Sequence, residues 1–184
     1  LLRRYWLEAA ALIAAIDAAL EVVFHHDAAK APHSSLWLAA PAVVLIVLPI
    51  LVRRRWPFAA PASLWVLAAA LSFLDGRLVV FSASVFGAGM VAAFLLGNLL
   101  DARQSRLGLV FVLVGATTVV YHSPTTGAGD YLFVPALFAV LWLGGHALQQ
   151  RGARAEAAEQ RAARLVRERE EATRAAIADE RARI

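Results

Sequence analysis

Six apolar stretches follow one another through the first 150 residues, separated by charged or turn-forming residues. They lie at 5–24, 36–52, 57–74, 78–100, 106–121 and 131–148. A helix that crosses the apolar core of a bilayer needs about 20 apolar residues, and these stretches are close to that length. The series therefore predicts an all-α, polytopic membrane domain of six transmembrane helices over residues 1–150.

The composition favours the same class of protein. Hydrophobic residues make up 60% of the 184 residues, and the mean hydropathy is +0.63. A water-soluble fold could not bury that much apolar surface. The first stretch carries Asp17 and Glu21 and is followed by further apolar stretches, so it is expected to be a retained helix rather than a cleaved signal peptide. The sequence has no cysteine, which excludes disulfide and thiolate chemistry.

The arginines between the stretches predict an orientation. One alternating set of connections carries nine arginines, whereas the other set carries only Lys30 and Arg77. The nine are Arg3, Arg4, Arg53, Arg54, Arg55, Arg103, Arg106, Arg151 and Arg154. Because positively charged loops remain in the cytoplasm, both termini are expected on the cytoplasmic side of the cell membrane. Arginines that flank membrane segments suit the lipid bilayer and its anionic headgroups, and no direct nucleic-acid partner is expected.

Three polar residues interrupt the first apolar stretch. Asp17, Glu21 and His25 are spaced four residues apart, so they share one face of a helix. A charged carboxylate inside a bilayer costs at least about 2.5 kcal/mol, and such residues usually face other helices and find a partner. Two hypotheses remain open: a sensing element that responds to protons or cations, and a hydrogen-bonded packing device.

A predicted external loop is rich in possible metal ligands. His26, Asp27 and His33 follow His25, and His122 lies in another predicted external loop. Imidazole and carboxylate groups bind zinc or copper, but the spacing matches no established metal motif. The alternative is a set of surface histidines near the headgroup layer, and no metal is assigned.

The fourth stretch is rich in small residues, which allow helices to approach closely. They are Gly87, Gly89, Ala92, Ala93 and Gly97, with Ser82 and Ser84 before them. Motifs for catalysis are absent from the sequence: there is no glycine-rich phosphate loop, nucleophile elbow or His-Glu-x-x-His. We therefore predict helix packing here and no catalytic residue or bound cofactor in this chain.

Residues 151–184 differ from the membrane domain. They hold 9 of the 18 basic and 7 of the 14 acidic residues, and they lack aromatic residues and proline. Apolar residues recur at heptad spacing, which predicts a weak coiled coil and a homodimer, against the alternative of a single solvated helix. The predicted seam consists of Ala155, Ala158, Ala162, Leu165, Ala172, Ala176, Ile177 and Ile184.

The end of this helix resembles a known family. The run from Asp179 to Ile184, with Glu180, Arg181, Arg183 and Ile184 in the E-R-x-R-I pattern, is similar to the entry into the dimerization and phosphoacceptor helix of bacterial sensor histidine kinases. The class that pairs with LuxR-type response regulators, common in actinobacteria, is the most similar. The resemblance implies that a phosphoacceptor histidine and a domain that binds ATP and Mg lie beyond Ile184, and that the partner is a cognate response regulator.

The sequence therefore leads to one main functional hypothesis and one alternative. The main hypothesis is the membrane input domain of a two-component sensor histidine kinase, which transmits a stimulus through a dimeric coiled coil. The alternative is a small transporter or channel subunit with a cytoplasmic assembly helix. The alternative gains from the intramembrane carboxylates, but the sequence lacks a pair of interrupted helices in corresponding positions.

Overall fold

The computed structural model describes residues 12–21, 24, 36–124 and 126–183. These residues form helices and connecting turns and contain no strand, which confirms the predicted all-α class. The helices are α1 (residues 12–21), α2 (Leu36–Val47, continued by a 3-10 helix at Leu48–Val52), α3 (Ala59–Leu74), α4 (Gly76–Phe81), α5 (Ala83–Gly97), α6 (Ala102–His122) and α7 (Asp130–Arg183).

Short polar residues begin several of these helices. The side chains of Asp75, Ser82 and Asp101 accept hydrogen bonds from backbone N–H groups in the first turns of α4, α5 and α6. Such caps satisfy N–H groups that have no partner within the helix. Pro49 lies at the start of the 3-10 helix that continues α2. Proline has no N–H to donate, so the regular α-helical bonding pattern cannot pass through this position unchanged.

One predicted helix boundary is wrong. The stretch 78–100 was expected to form a single helix, whereas the structure divides it into α4 and α5 at Ser82. The backbone of Ser82 is extended, with φ −92° and ψ 119°, and its side chain accepts a hydrogen bond from the N–H of Val85. A serine that caps a new helix competes with continuation of the preceding one.

Two helices are long and apolar enough to cross a membrane, α6 and the part of α7 between Asp130 and Glu170. Their most apolar windows are only 33% and 22% buried. Large apolar side chains such as Val114, Leu132 and Val140 are more than half exposed. Three shorter apolar helices lie at Trp37–Val52, Ala59–Leu74 and Ala83–Gly97. A helix in the core of a water-soluble protein would instead bury most of its apolar surface.

The core is built around α3, which packs against α2, α4, α5 and α6. Trp65 of α3 is 4% exposed, and its ring meets that of Phe138 in α7 edge to face at 4.7 Å. A Cβ on Gly115 of α6 would lie only 3.0 Å from the Trp65 ring. The absence of a side chain at Gly115 therefore leaves space for the indole ring of Trp65.

Two glycines bring the backbones of α5 and α7 into direct contact. A Cβ on Gly97 of α5 would overlap the carbonyl of Trp142, and a Cβ on Gly145 of α7 would overlap the carbonyl of Phe94. Neither glycine has a positive φ, so space rather than backbone conformation requires glycine here. We call this reciprocal approach the α5–α7 contact. It confirms close packing at one of the small residues singled out in the sequence.

The contacts divide the chain into two units, Leu1–Ala147 and Leu148–Ile184. In the second unit, almost every described side chain is exposed, including Leu165 at 58% and Val166 at 56%. Of the predicted seam, Ala155, Ala158, Ala162, Leu165 and Ala172 are exposed. Ala176 and Ile177 are helical, and Ile184 lies outside the described residues.

The α5–α7 contact makes a prediction about stability. Gly97→Ala should destabilise the first unit by about 2 kcal/mol or more, because an added methyl group would push two backbones apart. Gly87→Ala in the same helix is the matched control, since a Cβ at Gly87 meets no atom within 4 Å. The control should be neutral or should stabilise by about 0.5–1 kcal/mol, because alanine favours helix more than glycine does.

Reversible unfolding in mixed micelles would measure both variants. Equal stability of the Gly97→Ala and Gly87→Ala proteins would contradict the described contact between α5 and α7.

Candidate functional site

The carboxylate of Glu21 lies at the first turn of α5. Its Oε2 accepts a hydrogen bond from the backbone N–H of Ala83 at 3.1 Å, and Oε1 lies 3.4 Å from the same nitrogen. The first N–H groups of a helix have no partner within the helix, and together they carry a partial positive charge. A carboxylate from α1 therefore pairs the N–H of Ala83 at the helix end that the break at Ser82 creates, beside the Val85 N–H that Ser82 itself caps.

Asp17 makes a second connection to the same turn. Its Oδ2 accepts a hydrogen bond from the hydroxyl of Ser84 at 2.5 Å. Ser82, which separates α4 from α5, is fully buried and caps Val85. Three consecutive residues, 82 to 84, are thus engaged through a side chain or a backbone N–H. We call Asp17, Glu21, Ser82 and Ser84 the α1–α5 cap.

The α1–α5 cap bears on both hypotheses for the three polar residues of the first apolar stretch. The structure places Asp17 and Glu21 together on one helix end, as their spacing predicted, and their described partners are backbone and hydroxyl donors. His25, the third of these polar residues, lies outside the described residues. A hydrogen-bonded packing device accounts for this geometry without further assumptions. A sensing role requires in addition that the bonds change with a stimulus.

The possible metal loop is only partly described. His26, Asp27 and His33 lie outside the described residues. His122 ends α6, where its Nδ1 donates to the carbonyl of Thr118 at 2.9 Å and its ring lies 4.1 Å from that of Phe73. Within the described residues, no group of three potential metal ligands occurs. The metal hypothesis for this loop stays a prediction.

A second polar cluster lies at the opposite end of α5. The hydroxyl of Ser105 in α6 donates to the carbonyl of Gly97 at 3.3 Å. The indole Nε1 of Trp142 in α7 donates to the carbonyl of Ser105 at 3.0 Å. Both Ser105 and Trp142 are buried, and the Trp142 ring stacks on His146 at 5.1 Å. These bonds join α5, α6 and α7 at the α5–α7 contact.

Helix α5 is therefore held at both of its ends. Its 15 residues correspond to about 22 Å between the α1–α5 cap and the α5–α7 contact. The described contacts thus join α1 to the first turn of α5 and α7 to its last turns. The same helix α7 extends to Arg183.

Sequence reasoning missed the bonds of Ser105 and Trp142 and the position of the helix break. One available signal was Ser82 itself, because a serine that precedes an apolar helical run is a typical N-cap. No comparable local signal exists for the bond between Trp142 and Ser105, which are 37 residues apart.

No protein-family model, curated protein or solved structure matches this chain.

The α1–α5 cap predicts energetic coupling between two particular residues. In a double-mutant cycle, Asp17→Ala and Ser84→Ala should show a coupling energy of about 1 kcal/mol, because each variant removes one partner of a charge-assisted hydrogen bond. Ser63 is the matched control, since its hydroxyl bonds the carbonyl of Ala60 within α3. The cycle of Asp17→Ala with Ser63→Ala should show coupling close to zero.

Unfolding free energies in mixed micelles provide the measurement. Additive effects of Asp17→Ala and Ser84→Ala would contradict the bond between them.

Proposed function

We propose that this chain is the membrane input domain of a two-component sensor histidine kinase. The observation that carries the proposal is the attachment of α5 at both ends: to the carboxylates of α1 and to α7, the helix that extends to Arg183. In this proposal the carboxylates of α1 lie within the membrane and act on α7 through α5. The resemblance of residues 179–184 to the entry of a phosphoacceptor helix indicates that the helix acts on a downstream histidine kinase.

In this proposal the first unit crosses the cell membrane six times, with α4 and α5 forming one interrupted span. Five of the six predicted stretches have described helices over most of their length, and the first is helical over residues 12–21. Trp37 and Trp56 are 91% and 58% exposed at the starts of the second and third stretches, where indole rings suit the headgroup layer. The distribution of arginine then places both termini in the cytoplasm.

The second unit is proposed to form a dimeric coiled coil. Leu165 and Val166 expose more than half of their surface, and a second copy would bury it. The neighbouring seam positions are small alanines, so each contact buries little apolar area and the association is weak. A weak seam allows two packings of similar free energy, which is useful for a helix that transmits a signal.

The proposed mechanism is a shift between two arrangements of α5. A stimulus that alters the α1–α5 cap changes the relative free energies of the two arrangements, and the populations follow. Because α5 contacts α7 through Gly97 and Gly145, each arrangement has its own position of α7. The coiled coil then presents the downstream kinase with a different geometry.

The catalytic output is proposed to lie beyond Ile184 in the longer protein. The resemblance places there a phosphoacceptor histidine, followed by a domain that uses ATP and Mg, with a cognate response regulator as the phosphate acceptor. The residues of this chain would bind none of these directly. Their role is to set the orientation of the helix that enters the kinase.

A small transporter or channel subunit is the second candidate. The break at Ser82 favours it, because interrupted helices whose ends face polar groups form the ion and substrate sites of many transporters. Those folds place two such breaks in corresponding halves. The two proposals differ in output: a transporter moves a solute in liposomes, whereas an input domain changes phosphorylation.

The kinase proposal predicts histidine phosphorylation that depends on α1. The protein extended beyond Ile184, incubated in liposomes with radiolabelled ATP and Mg, should become labelled on histidine. Asp17→Asn should change the rate several-fold, because it weakens the bond to Ser84, and Ser63→Ala should leave the rate unchanged. Absence of a histidine within about five residues after Ile184, or of phosphate on it, would contradict the kinase proposal.

The coiled coil predicts position-dependent crosslinking. The chain has no cysteine, so each introduced thiol is unique. Leu165→Cys, at a seam position, should form a disulfide between copies several-fold faster than Gln160→Cys, which heptad spacing places on the opposite face. Mild oxidation of membranes followed by non-reducing electrophoresis would measure both rates. Equal rates at the two positions would favour a single solvated helix.

A further inference from the structure

A cavity of about 330 Å³ lies among α3, α4, α5, α6 and the first turns of α7. Its size falls at the lower end of the range for small-molecule sites. Among the residues that the structure describes, no charged side chain lines it, and the side chains in its walls are apolar apart from two hydroxyls and one indole N–H. Its apolar lining residues include Leu64, Val79, Val85, Val119, Val134 and Phe138.

The polar groups in the walls of the cavity differ in whether they have a hydrogen-bond partner. The hydroxyl of Thr126 already donates to nearby carbonyls, with Val120 at 3.0 Å and Ser123 at 2.9 Å. The hydroxyl of Ser82 accepts the N–H of Val85 at the start of α5. Both hydroxyls therefore have a hydrogen-bond partner in the turns that surround the cavity, Thr126 as a donor and Ser82 as an acceptor.

Trp65 is different. Its side chain lines the cavity and is 4% exposed, yet its Nε1 has no hydrogen-bond acceptor among the residues that the structure describes. A buried N–H without an acceptor is costly, and more so in a bundle surrounded by lipid. Buried tryptophans usually find a partner for this group. The other buried indole among the described residues, that of Trp142 in α7, has one.

We propose that this cavity binds an uncharged, mainly apolar molecule that carries one hydrogen-bond acceptor, a carbonyl or hydroxyl oxygen bound by Trp65 Nε1. The described lining residues carry no charged side chain that would compensate an ionised ligand for its loss of hydration, so they favour an uncharged one. The apolar walls supply binding energy through buried area, and the indole N–H supplies orientation. The proposal concerns binding alone and stands whether or not the protein controls a kinase.

The position of the cavity connects such a ligand to the two ends of α5. Ser82, Ala83 and Val85 belong both to its walls and to the turn where the α1–α5 cap is formed. Val134 and Phe138 place α7 in the same walls. A bound molecule would therefore contact α5 and α7 at once, so it would favour whichever arrangement of these helices fits it better.

Photoaffinity labelling in nanodiscs tests the proposal with two matched probes. One is a medium-chain aliphatic ketone that carries a diazirine, and the other is the hydrocarbon of the same skeleton with the same diazirine. The ketone should label cavity-lining peptides of α3, α5 or α7, and unlabelled ketone should compete. The hydrocarbon should give at least about fivefold less saturable labelling, because it lacks the acceptor for Trp65.

Three variants assign the labelling to the cavity. Ala68→Leu adds bulk to a buried wall residue of α3 and should abolish saturable labelling, whereas Ala70→Leu, at an exposed position of the same helix, should leave it unchanged. Trp65→Phe should lower ketone labelling about fivefold and leave hydrocarbon labelling unchanged. If Ala68→Leu reduces folded yield, Ala116→Leu fills the same cavity from α6.

Several outcomes would overturn the proposal. Equal saturable labelling by ketone and hydrocarbon would show that the cavity takes an acyl chain of lipid without polar recognition. Equal loss in the Ala68→Leu and Ala70→Leu proteins would place the probe on the lipid-facing surface. Labelling requires no phosphorylation, so a failure of the kinase proposal and a failure of the binding proposal are separately visible.

Discussion

The described arrangement of the first unit depends on the contact between the backbones of α5 and α7. Gly97 and Gly145 each face a carbonyl of the other helix at a distance that no side chain would fit. Ser105 and Trp142 then add hydrogen bonds that fix α6 at the same place. Apolar packing alone does not favour one helix pairing over another in lipid, because the tails are as apolar as the side chains. Close glycine contacts and interhelical hydrogen bonds provide the selectivity.

The opposite end of α5 uses a different interaction. Glu21 and Asp17 bind a helix N-terminus and a hydroxyl, so their partners are a dipole and neutral groups. The C-terminal end of α5 is thus joined to α7 by backbone packing, and its N-terminal end is joined to α1 by side-chain hydrogen bonds. The apolar cavity lies beside this N-terminal end, since Ser82, Ala83 and Val85 line it.

Sequence reasoning predicted some of these features for clear physical reasons. The apolar stretches and charged breaks predicted helices because bilayer thickness sets their length, and the spacing of Asp17 and Glu21 predicted a shared face because helical geometry fixes it. The break at Ser82 was not predicted, because apolar residues continue on both sides of it. The apolar pattern does not show whether a serine caps a new helix or lies within a continuous one. The bond of Trp142 to Ser105 and the partners of the two carboxylates depend on tertiary packing, which periodicity in one segment does not encode. The cavity likewise depends on five helices together.

Transmission through α5 is the central claim, and the indole N–H resonance of Trp142 tests it most directly. This N–H bonds Ser105 at the C-terminal end of α5, whereas Glu21 binds the N-terminal end. In nanodiscs, with the resonance assigned through Trp142→Phe, Glu21→Gln should change both the chemical shift and the hydrogen-exchange rate of the Trp142 N–H. Ser63→Ala, which alters a bond internal to α3, should leave both unchanged. A Trp142 resonance that stays constant in Glu21→Gln protein while the Ala83 amide shifts would contradict transmission through α5.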